Sequence, residues 1–103
     1  MQASVTVIHD LELAWSEPDG FLYQIRRGHF DQVKADRFLE LLSRITLPEE
    51  DRIDRRLVSL LWYLPQFMTW QLERIRDNGA DATLYQEYSH KTFDAVERIL
   101  GVP

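Results

Sequence analysis

The run LVSLLWYLPQFMTWQL, residues 57–72, is the longest uncharged stretch of the chain and decides the fold. Its 16 residues fall short of the roughly 20 that a membrane-spanning helix needs, and they include a proline and several polar side chains. We therefore predict that this run is a buried core helix of a soluble protein that has no membrane partner.

Apolar residues continue on both sides of this run with the spacing of one helical face. They are Ile53, Leu57, Leu60, Leu61, Leu64, Met68, Leu72 and Ile75. Thr46 and Glu49 have the spacing of a capping box, and Gly79 is a natural stop. Because Pro65 removes one backbone hydrogen bond, we predict a helix over about 48–77 that is kinked or split at Pro65.

Two further helices are predicted from periodicity and end signals. Apolar residues recur at helical spacing after Asp31, which predicts a helix over 32–45 with Asp31 as its N-cap. The same pattern follows Asp81 and stops at Gly101, which predicts a capped helix over 82–100.

The first 30 residues permit two interpretations. The start signal around Pro18 and the stop signal at Gly28 favour a helix over 17–27. Alternation on both sides of the Pro-Asp-Gly turn is typical of a hairpin. For residues 1–16 the pattern does not choose between a short strand and a helix.

Together these patterns predict a mainly α fold, a four- to five-helix bundle-like domain over residues 1–103, with a short N-terminal strand or hairpin as an open alternative. A chain of 103 residues is long enough for one hydrophobic core. It has no cysteine, so disulfides and thiolate chemistry are excluded, and no signal peptide is recognisable. We expect a cytoplasmic location.

The sequence carries no recognisable catalytic machinery. Its four glycines are isolated, so there is no phosphate-binding loop, and the common hydrolase and metalloprotease motifs are absent. His9, His29 and His90 are not paired at helical spacing. We predict no metal site, no cofactor and no enzymatic activity; a ligand site or enzyme built from these histidines and Tyr88 is the third hypothesis.

Negative charge is concentrated at the start of the chain. Residues 1–22 contain four acids and no Lys or Arg, whereas residues 23–103 contain 13 acids and 12 bases. An acidic chain repels phosphate backbones, so we expect a basic protein partner and no nucleic acid. The first hypothesis is an acidic binding module, most specifically an inhibitor, immunity protein or antitoxin that blocks a basic enzyme. Its predicted partner-binding residues are Asp10, Glu12, Trp15, Glu17 and Asp19.

The aromatic stretch 60–70 supports a second hypothesis. Trp62, Tyr63, Phe67 and Trp70 cannot all lie on one helical face. A central helix surrounded by the others accounts for them as core residues. Alternatively, they form the interface of a homodimer or larger homo-oligomer, since Trp and Tyr are enriched at protein interfaces.

Overall fold

The computed structural model describes residues 5–47 and 52–103, and every regular element within these ranges is an α-helix. The elements are α1 Val5–Ser16, α2 Phe21–Arg26, α3 Gln32–Ser43, α4 Arg55–Leu61, α5 Leu64–Trp70, α6 Leu72–Asp77 and α7 Ala82–Leu100. Since α4, α5 and α6 follow one another with only one or two residues between them, the seven segments make five helical units. The prediction of a mainly α, bundle-like domain is confirmed.

Residues 5–16, the described part of the N-terminal segment, are helical, so the alternative of a strand or hairpin is wrong for them. Leu11 and Ala14 of α1 are buried, and Val7, Ile8 and Trp15 pack against the core around them. These five positions form one helical face. The β-branched residues at the start of α1 disfavour a helix by less than about 1 kcal/mol each, and burial of this face outweighs that preference.

A tight turn places α2 against α1. Gly20 lies so close to α1 that a Cβ atom there would be 2.4 Å from the carbonyl oxygen of Leu13. Glycine is the residue that this approach permits. The turn occupies residues 17–20, so the helix predicted over 17–27 is reduced to α2, and Gly28 follows it with a φ of 87°.

The long central helix is divided twice. The carboxylate of Asp54 accepts from the Arg56 N–H and begins α4, whereas the capping box predicted at 46–49 extends beyond the described residues. The first division falls just before Pro65, which lies in the first turn of α5, as the proline predicted, and the second falls at Gln71.

Two aromatic donors satisfy carbonyl groups near these divisions. The Trp15 indole N–H donates to the Leu60 carbonyl oxygen at 3.0 Å, and the Tyr85 hydroxyl donates to that of Met68 at 2.7 Å. Carbonyl groups in the last turn of a helix have no donor within the helix, so these bonds stabilise the ends of α4 and α5.

The caps of α3 and α7 agree with prediction. The Asp31 carboxylate accepts from the Lys34 N–H, and that of Asp81 from the Leu84 N–H. The Arg98 guanidinium of α7 donates to the carbonyl oxygens of Leu42 and Ile45 at 2.8 and 2.9 Å. A side chain close to the C-terminus of the chain thus caps the C-terminal end of α3.

All seven helices contribute to the core, and α7 packs against α3 and α5 within it. Phe21, Phe30, Phe38, Tyr85 and Tyr88 form a network of ring contacts there, with centroids 5.2 to 6.4 Å apart. Burial raises the pKa of both tyrosine hydroxyls, and the negative charge of Asp36 adds to the shift at Tyr88.

Among the helices of the described ranges, none is both long and apolar enough to cross a membrane.

Candidate protein-binding surface

Two exposed tryptophans of the central helical unit both contact the ring of Tyr63. The side chains of Trp62 and Trp70 are 61% and 60% exposed. Tyr63 lies between them, with its ring centroid 5.6 Å from that of Trp62 and 5.9 Å from that of Trp70. We call Trp62, Tyr63 and Trp70 the aromatic surface. Single exposed apolar residues are ordinary, whereas adjacent large aromatic rings are typical of interaction sites.

A second layer of rings supports this surface. Phe67 is 1% exposed, and its ring packs edge-on against that of Trp15, with centroids 4.9 Å apart. Both rings also lie 6.3 Å from Tyr63, measured between centroids. The hydrogen bond from the Trp15 indole to the Leu60 carbonyl oxygen fixes Trp15 of α1 against α4. Because Tyr63 packs on this fixed ring and on buried Phe67, its position is restricted. Tyr63 is therefore held in place before a partner binds, which lowers the entropy lost on binding.

The structure joins residues that the sequence assigned to separate sites. Trp15 belongs to the predicted acidic site, and Tyr63 and Phe67 belong to the predicted oligomer interface, yet the three form one cluster of tilted and edge-on rings. Buried Phe67 and half-buried Trp15 lie on the core side of Tyr63. Trp62 and Trp70 are the exposed rings that contact Tyr63.

The four predicted acids have two different environments. The carboxylate of Glu12 forms an ion pair with the Arg56 guanidinium at 2.7 Å, so its charge is partly offset within the chain. Asp10, Glu17 and Asp19 are exposed, and the Lys34 ammonium donates to the backbone carbonyl of Asp19 at 2.7 Å. The acidic character of the N-terminal segment therefore depends mainly on Asp10, Glu17 and Asp19.

The guanidinium of Arg26 lies over two rings of this cluster. The Arg26 guanidinium carbon is 5.3 Å from the Phe67 ring centroid and 6.0 Å from that of Trp15. The Arg74 guanidinium donates to the Arg26 carbonyl oxygen at 2.8 Å and holds the end of α2 in place. The sequence contains no signal for this role of Arg26, because it depends on where α2 packs.

The residues of the third hypothesis have ordinary structural environments. His9, His29 and His90 are exposed and lie on α1, on the turn after α2 and on α7. The Tyr88 hydroxyl is buried and donates to the Ala35 carbonyl oxygen at 2.7 Å. Within 5–47 and 52–103, no three His, Cys, Asp or Glu residues form a group that could hold a metal ion.

Comparison with known proteins adds no family to this description. No family model, no curated protein and no solved structure matches the chain.

Proposed function

We propose that this protein is a small protein-binding module that docks its partner on the aromatic surface. The observation that carries the proposal is the pair Trp62 and Trp70, each about three-fifths exposed beside a supported tyrosine. A tryptophan side chain presents up to about 250 Å², so each of the two offers roughly 150 Å² to a partner. Tryptophan and tyrosine are enriched among the few residues that contribute most of the binding energy at protein interfaces.

The acidic residues give this module a preferred kind of partner. Asp10, Glu17 and Asp19 are exposed on α1 and on the turn that follows it. Trp15 connects α1 with the aromatic surface through its contact with Tyr63. The proposed partner is therefore a basic protein, attracted by these carboxylates and anchored by the tryptophans. In its most specific form, the protein inhibits a basic enzyme in the cytoplasm, as an immunity protein or an antitoxin does.

Differential capture from an extract of the native host tests the proposal. The baits are the wild-type chain, the double variant Trp62→Ser/Trp70→Ser and the matched control Val5→Ser/Val33→Ser. The control also removes two exposed apolar side chains, which are 84% and 58% exposed. We expect a basic protein that the wild type and the control retain and the tryptophan variant loses. Equal capture by all three baits, or capture by none, contradicts the proposal.

A homodimer formed through the same surface is the second candidate function. Its support is that Trp62, Tyr63 and Trp70 carry no charge, so the surface can face an identical copy without like-charge repulsion. Sedimentation equilibrium of the purified chain separates the two candidates. A monomer at the highest soluble concentration eliminates the homodimer, and a dimer that Trp62→Ser/Trp70→Ser dissociates supports it.

A further inference from the structure

A groove between α5 and α7 lies apart from the residues of the aromatic surface. Its volume is about 470 Å³, within the range of small-molecule sites in proteins. Met68 and Tyr85 lie beneath the groove and are fully buried, so Phe93, which is 46% exposed, supplies the phenyl ring that a bound molecule can reach. The Phe93 ring is therefore partly uncovered by the side chains of the described residues and is free to contact a bound molecule.

Some polar groups of the lining already form hydrogen bonds within the protein, and others do not. The Tyr85 hydroxyl is occupied by the Met68 carbonyl, and that of Thr69 by the Pro65 carbonyl. Because Tyr85 is fully buried, neither its ring nor its hydroxyl is available to a molecule in the groove. Among the described residues, no hydrogen bond engages the side-chain amides of Gln66 and Gln86, which belong to the same lining. These amides can donate to or accept from a bound molecule.

The lining also restricts the charge of a ligand. Among the described residues that line the groove there is no Lys, Arg, Asp or Glu, and His90 is its one titratable group besides the buried Tyr85. A charged molecule placed here would lose hydration without gaining an ion pair, which is unfavourable. The exposed Phe93 ring favours an aromatic molecule, because two aromatic rings attract each other in offset and edge-to-face arrangements.

We propose that this groove binds a small, uncharged aromatic molecule that carries a hydrogen-bonding group. Indole has this chemistry and serves as the probe, and indole-3-acetate is its anionic counterpart. Met68 supplies the readout, since the chain has two methionines and a carbon-13 label on their methyl groups gives a simple spectrum. Indole should shift the Met68 methyl resonance saturably, with a dissociation constant in the millimolar range or below.

Three comparisons locate the site and test its preference. We expect Phe93→Ala to weaken indole binding about tenfold, whereas the control Val33→Ala and the double variant Trp62→Ser/Trp70→Ser leave it unchanged. Indole-3-acetate should bind the wild-type chain at least about tenfold more weakly than indole. Absence of a saturable Met68 shift, binding that Phe93→Ala does not weaken, binding that the tryptophan double variant abolishes, or equal binding of the anion each overturns the proposal. The test is independent of the partner-binding proposal, which concerns different residues.

Discussion

Replacing Trp15 with phenylalanine tests whether this residue stabilises the fold beneath the aromatic surface, in contrast to the exposed Trp62. The substitution keeps a ring beside Phe67 and removes the N–H that donates to the Leu60 carbonyl oxygen at 3.0 Å. A carbonyl group left without its donor costs about 1–3 kcal/mol, toward the lower end here because this bond is only partly buried. Loss of the larger indole surface adds up to about 1 kcal/mol. We expect a total destabilisation of about 2 kcal/mol.

Urea denaturation measures this change, with the same substitution at an exposed tryptophan as the control. Trp62→Phe removes an equal number of atoms from a side chain that is 61% exposed. Its free energy of unfolding should stay within about 0.5 kcal/mol of the wild-type value. For a domain of this size, the Trp15 variant should also melt roughly 10 °C lower. The reasoning is refuted if Trp15→Phe is as harmless as Trp62→Phe, since Trp15 would then not support the aromatic surface.

Three further predictions concern the fold around the surface. Gly28→Ala should be more destabilising than Gly79→Ala by at least about 1 kcal/mol in urea denaturation. Both glycines have a positive φ, but only Gly28 lacks room for a Cβ atom. Equal losses of stability would show that the close packing at Gly28 is not important. Arg98→Met keeps the aliphatic stem and removes the hydrogen bonds to the carbonyl oxygens of Leu42, in the last turn of α3, and of Ile45 just after it, so we expect a loss of about 1–3 kcal/mol in thermal unfolding. An unchanged melting temperature would contradict this capping role. The raised pKa values of Tyr85 and Tyr88 keep both hydroxyls protonated in the folded state while the unfolded chain ionises near pH 10, so stability should fall as pH rises above 10, by up to about 1.4 kcal/mol per pH unit for each tyrosine. Absorbance at 295 nm tests this: the chain has four tyrosines, and ionisation of all four near pH 10 in the folded protein would contradict it.

Local signals in the sequence predicted much of the helical framework. Asp31 and Asp81 cap their helices because a short acidic side chain reaches the backbone N–H three residues on, and this needs no distant partner. Pro65 marks a division of the central helix for an equally local reason. The helical state of α1 was not decided, because weak β-branched preferences opposed it and burial against distant helices determined it.

The candidate surface was predictable in its residue types and not in its arrangement. Aromatic enrichment in 60–70 indicated either a core or an interface, and the structure divides these residues between the two. Phe67 is buried whereas Trp62 and Trp70 are exposed, and Trp15 of α1 and Arg26 of α2 cover the side on which Phe67 lies. Which side they cover follows from contacts across about 45 residues of sequence, such as that of Trp15 with Leu60, and helical periodicity carries no information about such contacts.

Fluorine NMR of the chain labelled with 5-fluorotryptophan tests the central claim most directly. The chain has three tryptophans, so each resonance can be assigned by single substitution. When the partner retained in the capture experiment is added, the Trp62 and Trp70 resonances should change their chemical shifts strongly, and that of Trp15 should change little. Binding of that partner with unchanged Trp62 and Trp70 shifts would contradict the assignment of the aromatic surface as the docking site.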